Sequence, residues 1–275
     1  MNLLKVNLHT HTYRCKHSMG NDERMVQNAI LGKTDIMGFS DHVPWAFYPE
    51  DFDSRVRMEL CQFDEYCRSI RHLKKKYTGQ IELYLGVEAE YYPHHMDWLE
   101  DFSREKGLDY IILGCHFPEP APGDTPEKVY FGRNCTTPEE LELYRENMIS
   151  GIQSGFSPYI AHPDLFMRSY PHFDRQCELL SRKICEEAVR HHAVLEYNLS
   201  GFWYAEDHSL DECFPHPAFW QIAADCGVTA VIGYDAHHYD MLRDTVQYQQ
   251  AVETLHRLGI KRIDGTNVFN LKGNG

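Results

Sequence analysis

The stretch VNLHTHTYRCKH, residues 6–17, sets three histidines, His9, His11 and His17, directly after a short apolar run. In extended backbone, residues two apart point to the same side. His9 and His11 therefore aim at a common centre if the run is a strand. The chain has 17 histidines, so one such pair proves little. The residues at the ends of the other apolar runs decide between chance and a metal site.

Short apolar runs alternate with longer segments of helical period, the mark of a parallel α/β fold. The expected strands are residues 3–8, 36–40, 81–88, 110–115, 158–161, 193–198 and 229–233, with a last short one at 267–271. Between them lie expected helices. In 55–77, Phe63, Tyr66, Ile70, Leu73 and Tyr77 recur at spacings of three and four and form one apolar stripe. In 136–155, Thr137 is a plausible N-cap, Pro138 takes the first helical position and acids fill the first turn. Further helices are expected at 22–32, 96–106, 175–191, 216–226 and 243–258. The proline- and glycine-rich stretch 116–136 reads as a long loop, and loops of that length are often functional. With no repeat and no low-complexity linker, the 275 residues read as one domain.

Each of the first seven runs delivers a metal-ligand type of residue at its C-terminal end. They are His9 and His11, then Asp41 and His42, Glu88, His116, His162, Glu196 and Asn198, and finally Asp235 and His237. In a closed parallel barrel these ends converge on one face, where such barrels hold their active sites. A lone histidine after a strand is usually an ordinary hydrogen-bonding group. Six of these histidines together with His17, Glu88 and Asp235 favour a metal cluster. Imidazole and carboxylate together suit Zn, Mn or Fe, and nine ligands exceed what one tetrahedral ion uses, so two or three ions are implied. His238 adjoins His237; the remaining histidines fall on helices or loops.

Composition narrows the partners. The formal net charge is −14, which argues against long nucleic acid, since phosphate contact needs clustered Lys and Arg. The one basic run, Arg71–Tyr77, reads as a solvated helix face. No run of about 18 apolar residues suggests a membrane helix, and MNLLKVNLH lacks the features of a signal peptide, so the expected location is the cytoplasm. The nine cysteines form no C-x-x-C pair and read as reduced thiols. Cys15 and Cys115 lie beside candidate ligands, with packing the expected role of each.

The motifs HTHTYRCKH, GFSDH, GVEAEYY, AHPDL and YDAHH, in that order over residues 9–238, resemble the polymerase and histidinol phosphatase (PHP) family, and most closely its histidinol-phosphatase branch. The resemblance implies a distorted (β/α)7 barrel with a trinuclear metal centre at the C-terminal ends of the strands. It implies His9, His11, Glu88 and Asp235 on a first ion, a bridging Glu88 with His116 and His162 on a second, and His17, His42 and His237 on a third. Asp41 would orient an imidazole, and the catalytic role would fall to Glu88, Asp235 and His237 through the ions they hold. The chain departs from the family in two places. Tyr234 stands where a serine is usual, and Phe202, Trp203 and Tyr204 come after LEYNLSG where a basic residue is expected.

The implied reaction is hydrolysis of a small phosphomonoester, L-histidinol phosphate first, in histidine biosynthesis. The charge of three divalent ions outweighs that of Glu88 and Asp235, so an anion is drawn to the site despite the acidic whole. Arg168, after AHPDLFM, and Arg133, in the long loop, are candidates to bind phosphate. Glu119 and Asp124 are candidates to face a substrate ammonium. The alternatives are a PHP phosphoesterase acting on another small ester or a nucleotide, with the aromatics at 202–204 stacking on its ring, and a non-enzymatic metal-holding regulatory protein.

Overall fold

Seven of the apolar runs become parallel strands: β1 (Val6–Asn7), β2 (Ile36–Phe39), β3 (Glu82–Ala89), β4 (Tyr110–Leu113), β5 (Tyr159–Ile160), β6 (Val194–Asn198) and β7 (Thr229–Gly233). An eighth, β8 (Lys261–Arg262), is added at the end, and the sheet order is that of the sequence. The computed structural model describes residues 4–46, 54–121, 124, 129–204 and 214–263. Crossovers between parallel strands carry helices: α1 (Asp22–Leu31), α2 (Leu60–Lys76), α3 (Met96–Lys106), α4 (Phe131–Asn134), α5 (Pro138–Gln153), α6 (Arg175–Arg190), α7 (Ser200–Tyr204), α8 (Pro217–Cys226) and α9 (Val246–Arg257). Among the described residues, no helix is long and apolar enough to cross a membrane.

The sheet curls until β1 meets β7, but only at their C-terminal ends. There His11 N donates to Ala236 O at 3.0 Å and Ala236 N to His9 O at 3.2 Å. At its other end β7 pairs with β8 through Thr229 and Ala230. The Asn7 side chain spans the seam: its Oδ1 accepts from Tyr234 N at 2.9 Å and from His9 N at 3.2 Å. This side-chain bridging explains why β1 is two residues long and not the 3–8 read from hydropathy.

Two apolar layers hold the barrel. Val6, Leu8, Ile36, Tyr110, Ile112, Tyr159, Val194 and Val231 pack in one cluster, and a larger cluster joins strands to helices. The stripe expected on α2 is buried as read, through Phe63, Tyr66, Ile70, Leu73 and Tyr77. Its opposite face is solvated, with Lys74 and Lys76 paired to Asp109 and Glu23. Thr137 caps α5 in a capping box with Glu140, as its sequence predicts.

Three expectations are corrected. Residues 54–59 are not helical, because Arg57 is buried against Glu90 and α2 starts only after the Glu59 cap. The loop 116–136 contains α4, pinned by the fully buried Phe131, whose N donates to His116 O at 2.9 Å. A strand forms at 261–262, where hydropathy gave no signal; the strand expected at 267–271 lies outside the described residues.

Tyr110 of β4 reaches across to donate to Leu8 O at 2.7 Å or Phe39 O at 3.0 Å, tying the ends of β1 and β2 together. Tyr110→Phe leaves buried carbonyls short of a donor and should destabilise the protein by about 1–3 kcal/mol in urea unfolding. A change below about 0.5 kcal/mol would mean water replaces the hydroxyl there.

Candidate metal centre

Glu88 lies at the centre of the mouth, buried completely. Beyond Phe39 the chain of β2 continues beside β3, with Glu88 N donating to Asp41 O at 3.1 Å and Val43 N to Glu88 O at 2.9 Å. This extension sets Asp41 and His42 against Glu88. Two oxygens of one carboxylate then face different partners. Oε2 lies 3.1 Å from His42 Nδ1, 3.4 Å from His9 Nε2 and 3.5 Å from His11 Nε2. Oε1 lies 3.0 Å from His162 Nε2 and 3.3 Å from His116 Nε2.

On the floor, Asp235 Oδ1 lies 3.0 Å from His11 Nε2 and 3.4 Å from His9 Nε2. At the mouth, His17 Nε2 and His237 Nε2 are 2.9 Å apart, and with His42 they form a group of potential donors within 4.8 Å of one another. All nine residues read from the strand ends and from HTHTYRCKH thus converge. Two of them, His162 (φ 28°) and Asp235 (φ 48°), occupy left-handed backbone that non-glycine residues seldom adopt. Such strain persists where surroundings over-determine it, as in functional sites.

The outer ring atoms of His9, His17, His116 and His237 are held as well. His9 Nδ1 lies 2.9 Å from Glu196 Oε1, and Glu196 also accepts from Tyr159 Oη at 2.5 Å, Asn198 Nδ2 at 2.7 Å and His162 N at 3.0 Å. His17 Nδ1 bonds Cys15 O at 2.7 Å, His237 Nδ1 bonds Asp235 O at 3.0 Å and His116 Nδ1 bonds Glu90 Oε1 at 3.0 Å. Asp41 faces His11 Nδ1 at 3.5 Å and is itself fixed by Thr12 N at 3.1 Å and by the Thr12 hydroxyl. Partners of this kind set the tautomer and direct the other nitrogen inward. Room for the two carboxylates comes from glycines. A Cβ at Gly114 would collide with Glu88 Oε1, and one at Gly233 with Glu196 Oε1.

This donor set fits a cation. Glu88 Oε2 and His42 Nδ1 are buried side by side, yet neither has a hydrogen-bond partner. In the His17–His237 pair, Nε2 faces Nε2 at 2.9 Å while each Nδ1 meets a backbone carbonyl. Neutral rings so held point lone pairs at each other, an arrangement that a metal ion resolves. Charge is finely opposed here. Burial works to raise the Glu88 and Asp235 carboxyls, but the surrounding imidazoles hold both well below the usual range. Burial works to lower His9, but Glu196, Asp235 and Glu88 push it up to about 10. Burial and the charge of His11 hold His42 and His237 well down.

The mouth opens into a cleft of about 570 Å³. Phe117, Tyr130, Leu165 and Phe214 form apolar wall, and Arg55, Arg133 and Arg168 bring guanidinium groups to it. Arg168 donates to Tyr130 Oη at 2.9 Å. Other expectations fail. Phe202 packs against the core and Trp203 is exposed; neither is among the described residues that line the cleft, and the side chain of Tyr204 lies outside the described residues. Tyr234 stacks on Tyr248 beside α9, so its departure from serine leaves the cleft wall unchanged. Glu119 pairs with His94, Asp124 is exposed, and neither reaches the cleft. His238 caps the turn at Tyr239–Arg243. Cys115 is a buried thiol pushed well up by burial, in line with packing, whereas Cys15 falls within a potential donor group with His11 and His237.

Sequence reading left Glu90, Glu196, Tyr159, Arg55 and Arg57 without roles. The two-residue alternation from Glu88 to Glu90 was a usable signal for the first. Arg57 gave none, because its stretch reads as helix and its partner Glu90 is 33 residues away.

The PHP domain model matches residues 7–200, well over half of the chain. A protein of Deinococcus radiodurans named "Probable histidinol-phosphatase" is 27% identical over 83% of this chain and 85% of that protein. The "Histidinol-phosphatase" of Bacillus subtilis is 25% identical over 83% and 92%. The fold is similar, with a TM-score of 0.71 and 19% identity over 95% of this chain and 96% of the other, to histidinol phosphate phosphatase of Lactococcus lactis, solved in complex with zinc, L-histidinol and phosphate.

Zinc added to chelator-treated protein should raise its melting temperature, by an amount equivalent to about 2.7 kcal/mol for each ion at a hundred times its Kd. The gain should shrink in acid, as the imidazoles take up protons. Gly233→Ala, which displaces Glu196 from His9, should lessen it further; an equal gain in both proteins would separate Glu196 from the site.

Proposed function

The chain belongs to the PHP domain family, and on that premise we propose that it is a phosphomonoesterase that hydrolyses L-histidinol phosphate to L-histidinol and phosphate in histidine biosynthesis. The observation that carries this reading is the convergence of eight potential nitrogen and oxygen ligands around Glu88, itself the ninth, at the floor of an arginine-lined cleft. His9, His11, Glu88 and Asp235 would hold one ion, Glu88, His116 and His162 a second, and His17, His42 and His237 a third. Zn, Mn or Fe suits such a set. When bound, the ions supply Lewis acidity that lowers the pKa of water and offsets phosphate charge.

The chain's own residues do the rest. Glu88, Asp235 and His237 take the catalytic role as ligands at the reacting end, and Asp41 keeps the His11 ring in register. Arg168 and Arg133 bind phosphate oxygens through the fork geometry of guanidinium. Phe117, Tyr130 and Phe214 shelter the organic part of the substrate from water. The whole of residues 1–275 acts as one catalytic domain. The eight described cysteines are free thiols, which fits a reducing compartment, and we place the enzyme in the cytoplasm.

A specific observation favours a second reading. The position after LEYNLSG carries no basic residue, and Phe202 packs away from the cleft. Phosphate recognition then rests on the arginines of other segments, and a different small ester would be the preferred substrate. Phosphate release by zinc- or manganese-loaded protein from L-histidinol phosphate, set beside a panel of other monoesters and a phosphodiester, separates the two. The proposal expects kcat/KM of about 10⁴ M⁻¹s⁻¹ or more for L-histidinol phosphate. A better ester elsewhere discards the pathway, and a metal-loaded protein inert to every ester discards the enzyme.

His9→Ala should lower both activity and metal content, activity by more than the roughly 10–100-fold that loss of an outer partner costs; full metal loading with normal turnover would contradict the ligand assignment. Arg168→Ala should raise KM about tenfold or more, the worth of a charge-assisted hydrogen bond, with metal content unchanged. Unaltered kinetics would remove Arg168 from the site.

A further inference from the structure

Arg57 is completely buried, although it lies in irregular chain and not in a strand or helix of the barrel. Its guanidinium stacks 3.7 Å from the centre of the Trp45 ring, donates to Val43 O at 3.2 Å and forms an ion pair with Glu90 Oε1. That same oxygen accepts from His116 Nδ1 at 3.0 Å, and His116 Nε2 faces Glu88 at 3.3 Å. A continuous line of contacts therefore runs from Arg57 through Glu90 and His116 to the central carboxylate.

The pair is poorly built for stability alone. Arg57 Nε and Glu90 Oε2 are both buried without a hydrogen-bond partner. Taking two charges out of water costs several kcal/mol per ion, and the attraction offsets this only when the remaining donors and acceptors are satisfied. The geometry is good for something else. Glu90 can accept from His116 Nδ1 only when that nitrogen carries the proton, which leaves Nε2 as the electron-pair donor. Arg57 also ends the short segment Ser54–Arg57, whose Arg55 and Val56 line the cleft.

We propose that Arg57 is a positioning residue for the metal centre. Through Glu90 it fixes the His116 ring with Nε2 toward Glu88, and it fastens the segment that brings Arg55 to the cleft. This rests on the metal-dependent reading above and deepens it.

The test measures zinc affinity by competition with a chromophoric chelator, alongside KM and kcat. Arg57→Met keeps a long apolar side chain against Trp45 but cannot pair with Glu90. It should weaken the binding of one ion by about 10–100-fold, leave the remaining ions within about threefold of their wild-type affinity and raise KM. Arg57→Lys, which keeps the charge without the fork, should recover part of that affinity. The metal-free melting temperature separates positioning from packing. A variant that melts lower without metal, yet binds zinc as tightly as the wild type, overturns the proposal. Should Arg57→Met fail to fold, Glu90→Gln decides, because it preserves shape and removes the charge that pairs with Arg57. Zinc binding equal to wild type in that variant overturns the proposal as well. A wild-type protein that binds no zinc, manganese or iron would instead remove the reading on which the proposal rests.

Discussion

One buried carboxylate organises the mouth of this barrel. Glu88 sits where five imidazoles, those of His9, His11, His42, His116 and His162, approach within 3.5 Å of its two oxygens. Removing a carboxylate from water is costly unless charge partners surround it. Those partners are themselves imidazoles that repel one another once charged: burial first, and then the charge of His11, hold His42 well down. The cluster balances its charges only as a set, and it is a set that cations would complete.

The barrel is shaped to supply that set. Parallel strands send all their C-terminal ends to one face, but seven strands close imperfectly. The seam between β1 and β7 is bonded near His9, His11 and Ala236, at the metal end, while β8 pairs with β7 at the other. Closure is therefore firmest where ligands from the first and last strands must meet. The left-handed turns at His162 and Asp235 belong to the same constraint, since both residues leave their strands where regular extended backbone ends.

Much of this was legible in the sequence. The alternation of apolar runs and helical segments predicted the parallel sheet, and the ligand-type residues at seven strand ends predicted their convergence. Period and position are local, and both survive in the chain as written. What escaped reading was long-range. Arg57 sits within a helical-looking stretch, and only the distant Glu90 explains why it is buried and why α2 begins later. Phe131 turns part of a proline-rich loop into α4 by burying itself, which hydropathy over a short window does not reveal. Tyr234 departs from the family's serine beside Asp235, but its neighbour is Tyr248, and no local pattern discloses which way a residue next to a turn will face. Glu196 was visible at a strand end, yet its task, holding the His9 ring, depends on a contact spanning most of the chain.

The central claim is that these nine side chains hold three ions. The direct measurement is elemental analysis of the protein after saturation with zinc and removal of excess ion by gel filtration, with the bound metal counted per chain. The account predicts three. A count of one, or protein that emerges free of metal, would contradict it, because a single ion leaves most of the convergent donors around Glu88 without a purpose.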